Sequence, residues 1–273
     1  MVDQRGVFGS SLELRDANKT VTYSGSPEEI EAECEALDAL DKETEMRRTA
    51  AAVAAFATGV LCMIGFVTDS FWMVGICFAL AVAALVYRAS IGSDDIEDRK
   101  LATARELLSA LAPELKRGRP VKLDLDFRLY DNDRTDGVWM TLATTLEDGT
   151  GLALDVSTHF KRKTRAKRKY TKIKDKIHER LTLTFTPPKG RRFVPDAKAR
   201  IAPTRLPALA LRAVKVSPKA TTLTFSSPQM LRVRGRGGWN NGGLTHLIDE
   251  KAALFAIIAS YRALAESGVS QAS

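Results

Sequence analysis

The side chains of this chain best suited to chemistry or binding are concentrated in one stretch, FKRKTRAKRKYTKIK, running from Phe160 to Lys174. Lys161, Arg162, Lys163, Arg165, Lys167, Arg168, Lys169, Lys172 and Lys174 put nine cations into fifteen residues with no acid among them. A single-sign run of this kind is by default a solvated hairpin tip. Its sharper use is attraction of anions, and three counterparts fit. The inner leaflet of a membrane is anionic, and each Lys or Arg near it contributes about 1 kcal/mol. Nucleic acid offers phosphates for binding without sequence preference, but Phe160 and Tyr170 are the only flanking aromatics and form no stacking platform, which disfavours it. An acidic segment of the same or a neighbouring subunit is the third.

A second candidate is the glycine-rich GRGGWNNGG from Gly235 to Gly243, which precedes a helical pattern. Gly235, Gly237, Gly238 and Trp239 form a ligand loop if backbone amides there receive a phosphate. The segment lacks the Lys-Ser or Lys-Thr of a P-loop, and its spacing misses the dinucleotide fingerprint. His159, His178 and His246 lie on different elements, with no Cys or acid at ligand spacing, so neither a metal nor a cofactor is expected. DNDRTDG from Asp131 starts like a calcium loop, yet its glycine comes one place late and no glutamate stands at the twelfth position. It reads as a turn. No nucleophile has a base beside it, so the reading contains no catalytic residue and no enzyme.

The elements that must position these groups begin with a membrane anchor. TAAAVAAFATGVLCMIGFV from Thr49 and FWMVGICFALAVAALVY from Phe71 contain no charged residue and have the length that crosses a bilayer. Only Thr68, Asp69 and Ser70 separate them, so residues 49–88 read as a two-span helical hairpin. Arg47, Arg48 and Arg88 flank it while the connector has no Lys or Arg, which places both termini in the cytoplasm by the positive-inside bias. Small residues at four-residue spacing (Ala51, Ala55 and Gly59; Gly75, Ala79 and Ala83) allow close approach within the hairpin or between copies. No ionisable group lies inside, which favours an anchor over a transport path.

On either side of the spans the pattern is helical. Ser26, Pro27 and Glu29 make a capping box that opens an acidic stalk helix over 26–48. Ser93, Asp94 and Asp95 open a second over 93–117, whose Leu101, Ala104, Leu108, Leu111 and Leu115 form a coiled-coil-type seam for pairing with the first. Residues 1–25 read as a β-hairpin or flexible segment. Over 120–268 the apolar residues alternate, giving about seven antiparallel strands closed by a helix from Leu247 to Ala265, and 269–273 form a tail. The order of strands then helix resembles that of pleckstrin-homology-like barrels; an open sheet covered by the helix fits equally well. The fold class is therefore an α+β membrane protein with a cytoplasmic β-rich domain.

Charge follows this division. Residues 1–100 carry 9 basic and 17 acidic side chains, and the remaining residues 32 and 16, so a first part at −8 precedes a second at +16. Three cysteines are too few for a disulfide framework. The sequence thus predicts an integral protein of a bacterial inner membrane whose cytoplasmic domain binds anionic lipid or a protein partner, including another copy, in sensing or scaffolding. The competing expectation is an oligomeric effector that disrupts the bilayer when its β domain binds a ligand.

Overall fold

A computed structural model of the chain describes residues 20–68, 70–90, 97–128, 135–167, 170–193, 206, 209–228, 230–235, 238–241, 247–266 and 269–271. Outside them lie the Gly92–Ser93 break, residues 131–134 of the calcium-like turn, and the whole segment before β1. The chain divides into two units, one formed by residues up to Ala32 together with Asp98–Ser273, the other by Glu33–Glu97.

The second unit contains most of helix α1 (Pro27–Val67) and all of α2 (Phe71–Ser90). The capping box forms as its residues require, with Ser26 N donating to Glu29 Oε2 at 2.8 Å and Glu29 N to Ser26 Oγ at 3.2 Å. From there α1 continues unbroken for 41 residues, about 62 Å at 1.5 Å per residue. Both helices are long and apolar enough to cross a membrane. The large side chains of their apolar segments are mostly exposed, with Phe56 at 76% and Trp72 at 87%, the opposite of a soluble core helix. The helices approach near the connector, where a Cβ on Gly65 would stand 3.0 Å from Val74 Cγ2. Gly59 and Gly75, on the small-residue stripes, have open space instead.

The first unit is an open antiparallel sheet with two helices on one face. Its strands are β1 (Thr20–Gly25), β2 (Val121–Asp126), β3 (Asp136–Thr145), β4 (Gly151–Lys167), β5 (Tyr170–Thr186), β7 (Ala210–Val216), β8 (Thr221–Ser226), β9 (Met230–Gly235) and β10 (Gly238–Asn241). Their order is β1-β2-β3-β4-β5-β8-β7, with β9 on β5 and β10 on β9. Two short strands, β6 (Arg191–Phe193) and β11 (Val269–Gln271), pair separately. Among the described residues the edge strands β1 and β7 do not meet, so the sheet is open and the barrel-like order does not close.

Alternation decides which face is covered. Leu152, Leu154 and Val156 of β4, Leu181, Leu183 and Phe185 of β5, and Leu223 and Phe225 of β8 are buried under the helices. These helices are α3 (Asp98–Leu111) and α4 (Glu250–Glu266), which pack on each other and on the sheet. The seam read as half of a stalk, Leu101, Ala104, Leu108, Leu111 and Leu115, is buried in this core, together with Leu107, where α3 packs on α4 and the sheet. Each fully buried Leu contributes about 1.5–3 kcal/mol. The far end of α4 is tied to the β3–β4 turn, where Tyr261 Oη donates to Asp148 Oδ2 at 2.8 Å. Burial and this bond push the Tyr261 hydroxyl up to about 12. Burial alone would raise Asp148, but the hydrogen bonds from Thr150 and Tyr261 and the nearby Arg191 outweigh it and hold the carboxyl below its ordinary value.

One polar cluster joins these parts. Glu179 of β5 is fully buried and takes a two-pronged contact from Arg99 of α3, with Nη2 to Oε1 at 2.7 Å and Nη1 to Oε2 at 3.3 Å. Ile248 N donates to the same carboxylate at 2.7 Å and Thr158 Oγ1 at 3.3 Å. Arg99 also lies 5.4 Å from the ring centre of the buried Trp139, and its neighbour Lys100 donates to the carbonyls of Asp126 and Arg128. Removing one partner of a buried pair leaves the other charge uncompensated, which costs about 3–5 kcal/mol. Arg99→Met should therefore destabilise the sheet unit by that amount in urea unfolding followed by circular dichroism. A loss below about 1 kcal/mol, the worth of a surface pair, would remove the cluster from the structural account.

Candidate anion-binding face

The basic stretch is sheet rather than a short tip. β4 and β5 run together for 17 residues each, in a register that continues from Gly151 opposite Thr186 to Lys167 opposite Tyr170. β5 changes partner along the way, pairing with β9 over Ile173–Ile177 and with β8 over Arg180–Phe185. Glu179 sits at the changeover, and Ser227 completes its backbone bonding, Ser227 N to Glu179 O and Glu179 N to Ser227 Oγ, both at 2.9 Å. The outer half of the hairpin is thus a continuation of the core sheet.

Alternation then sorts the charges by face. Lys161, Lys163 and Arg165 of β4 and Lys172, Lys174 and Lys176 of β5 lie on the face opposite the helices. They stand directly across from each other as Lys161–Lys176, Lys163–Lys174 and Arg165–Lys172. Same-face neighbours along a strand are about 6.6–6.8 Å apart, and opposite pairs about 4.5–5.5 Å. The result is a double row of like charges, an arrangement that weakens a sheet unless anions neutralise it. Lys161, Lys163, Arg165 are exposed and Lys172, Lys174, Lys176 half-buried.

Arg162 stands apart from the other basic residues. It points to the helix side, where Nε and Nη2 donate to the buried Asp175 at 2.7 and 2.9 Å, and its guanidinium lies 5.4 Å from the Phe160 ring. It holds the hairpin together and is not part of the charged face. Lys167 ends β4, with its side chain outside the description, and Arg168 and Lys169 lie outside the described residues. The glycine segment forms a hairpin: Gly235 pairs with Gly238 and Trp239 with Arg234 in the β9–β10 register. Gly237 lies outside the described residues. This pairing uses the backbone in a sheet edge, so the amides of Gly235 and Gly238 do not form the helix-opening loop expected from sequence.

Two groups escaped the sequence reading. His159 and His178, placed on separate elements, are cross-strand partners with rings stacked at 4.8 Å, and His159 Nδ1 contacts Asp136 Oδ1. Beside them Arg180, Arg212 and Lys215 extend the cationic face across β8 to β7. The register that sets Lys167 opposite Tyr170 brings the first pair together, but no turn-forming residue in this run marks it. Among the described residues no three His, Cys, Asp or Glu side chains gather as metal ligands. No family model, curated protein or solved structure matches the chain.

Burial, then the charges of His159, Arg180 and Arg212, holds His178 below its ordinary 6.5, against the opposing pull of Asp136. The unfolded chain therefore takes up this proton first as pH falls. The stability associated with neutral His178 is fully present above about pH 6.5 and is lost as pH drops through the lower folded value. His178→Gln should flatten the fall in melting temperature between about pH 7.5 and 5; an unchanged slope would assign the fall to other groups.

Proposed function

We propose that this chain is a non-enzymatic, membrane-anchored protein whose β-rich domain docks onto the anionic inner leaflet, in sensing or scaffolding at a bacterial plasma membrane. The observation that carries the reading is the double row of cations on one open sheet face. A flat ribbon bearing three like-charged pairs suits a flat anionic surface, and the chain's own anchor would hold it there at high effective concentration. Support for the anchor comes from the exposed apolar surfaces of α1 and α2. The arginines at their outer ends favour, by the positive-inside bias, a topology with both termini in the cytoplasm; the Glu43 carboxylate on Arg47, at 2.6 Å, matters little because acids weigh weakly in this bias.

Two measurements test it. With the native cysteines replaced, Thr68→Cys should react with an impermeant reagent added to intact cells and Lys163→Cys only after permeabilisation; the reverse pattern would overturn the topology. A spin label at Lys163→Cys in the full-length protein should sense headgroup-bound nickel in nanodiscs containing phosphatidylglycerol and not in purely zwitterionic ones. The contact should weaken with salt, since exposed charges are screened over about 8–10 Å at physiological ionic strength. Equal accessibility in both lipids would contradict docking, and an ion leak triggered by the anionic lipid would favour the effector reading.

A further inference from the structure

We infer that a second site lies on the same face, in the groove bounded by β5, β8 and β7, and that it takes a phosphomonoester dianion. The groove has a volume of about 740 Å³ and is lined by His178, Arg180, Arg212, Lys215, Thr224 and Ser226. None of these belongs to the six-cation ribbon, so the site stands or falls separately from membrane docking.

Three features make it a built site rather than a scatter of surface charge. Arg180, Arg212 and Lys215 come from two strands that do not pair with each other and converge on one cavity over β8. Arg212 sits at a register shift between Leu211 and Ala213, the kind of bulge that re-aims a side chain and often borders a functional site. Its Nε is fixed by Ser226 Oγ at 2.6 Å, which orients the guanidinium and leaves its two terminal nitrogens to fork onto an oxyanion. The Thr224 and Ser226 hydroxyls and the His178 imidazole complete a wall of polar groups.

Charge selects the ligand class. Three cations around one cavity far exceed the single charge of a carboxylate or a phosphodiester and come closer to balance with the double charge of a phosphomonoester. The volume leaves room for the group that carries the phosphate, a lipid glycerol or a small soluble alcohol. His178 would report binding. Facing it are His159 of β4, Asp136 of β3, Lys176 and Arg180 of β5 and Arg212 of β7, while β8 contributes only hydroxyls. A dianion among these groups offsets the burial and the repulsion that keep His178 neutral and draws a proton onto it. Affinity should therefore rise as pH falls from about 8 to 6.5 and level off where the phosphate takes up its own proton, near about pH 6.

The test uses the full-length protein in zwitterionic nanodiscs with histidine-selective isotope labelling. Glycerol 3-phosphate should shift the His178 resonances and raise its pKa, and dimethyl phosphate should do neither at equal concentration. Arg180→Gln and Arg212→Gln should each weaken glycerol 3-phosphate about tenfold, the worth of one charge-assisted bond, while Lys163→Gln leaves it within about twofold. Nanodiscs containing phosphatidic acid, compared with phosphatidylglycerol, separate the sources: a His178 response to the soluble ester alone, to the lipid alone or to both each supports the site and names its ligand. No response to either monoester, an equal response to the diester, or binding undiminished in both arginine variants would overturn it.

Discussion

The pair formed by the fully buried Glu179 and the half-buried Arg99 is the constraint on which the rest of the sheet unit depends. It joins the first turn of α3 to the centre of β5, and the same carboxylate holds Ile248 N just before α4 and the Thr158 hydroxyl of β4. Two charges removed from water are costly unless every lone pair finds a donor, and here nearly the whole carboxylate is occupied. The pair also fixes topology. β5 can exchange β8 for β9 only where its backbone is satisfied by something other than a strand, and Ser227 supplies both bonds at Glu179. A Leu at this place would pack under the helices but take the carboxylate away from Arg99 and from the Ile248 amide.

The outer half of the β4–β5 hairpin follows from that changeover. Carried past the core by β9, it keeps the strict two-residue alternation of a sheet, which sends Arg162 to Asp175 on one side and Lys161, Lys163 and Arg165 to the other. What the sequence presents as one basic run is therefore two functions: an internal ion pair that stiffens the ribbon and an external row of charge. The external row joins the His159–His178 stack and the Arg180–Arg212–Lys215 groove on the same open face. A positive face of this extent raises the local concentration of anions and makes every binding event on it sensitive to salt.

How much of this was legible in the sequence depends on whether the signal was local. The capping box at Ser26, the apolar helices and the alternation that marks strands over 120–268 come from neighbouring residues, and these elements form. The Leu101–Leu111 seam was read correctly as an apolar helix face but assigned to a stalk, because periodicity names a face and not its partner. Between a closed barrel and an open sheet the sequence does not choose, for a related reason: element order does not reveal that β5 has two neighbours. Glu179 carries no local signal in the sequence, and only the fold brings Arg99, eighty positions earlier, against it. The histidine pair was hidden because register needs a turn position, and a run of Lys and Arg around Tyr170 contains no glycine, proline or asparagine to mark one.

The central claim is that the open sheet face rests on an anionic bilayer. Neutron reflectometry on the full-length protein in supported bilayers measures this directly, as the distance of the protein layer from the headgroups. With phosphatidylglycerol in the leaflet the sheet unit should lie against the headgroups, and it should stand away from a purely zwitterionic leaflet or when Lys163, Arg165, Lys172 and Lys174 are all changed to glutamine. The same profile in both leaflets and in the variant would contradict the account.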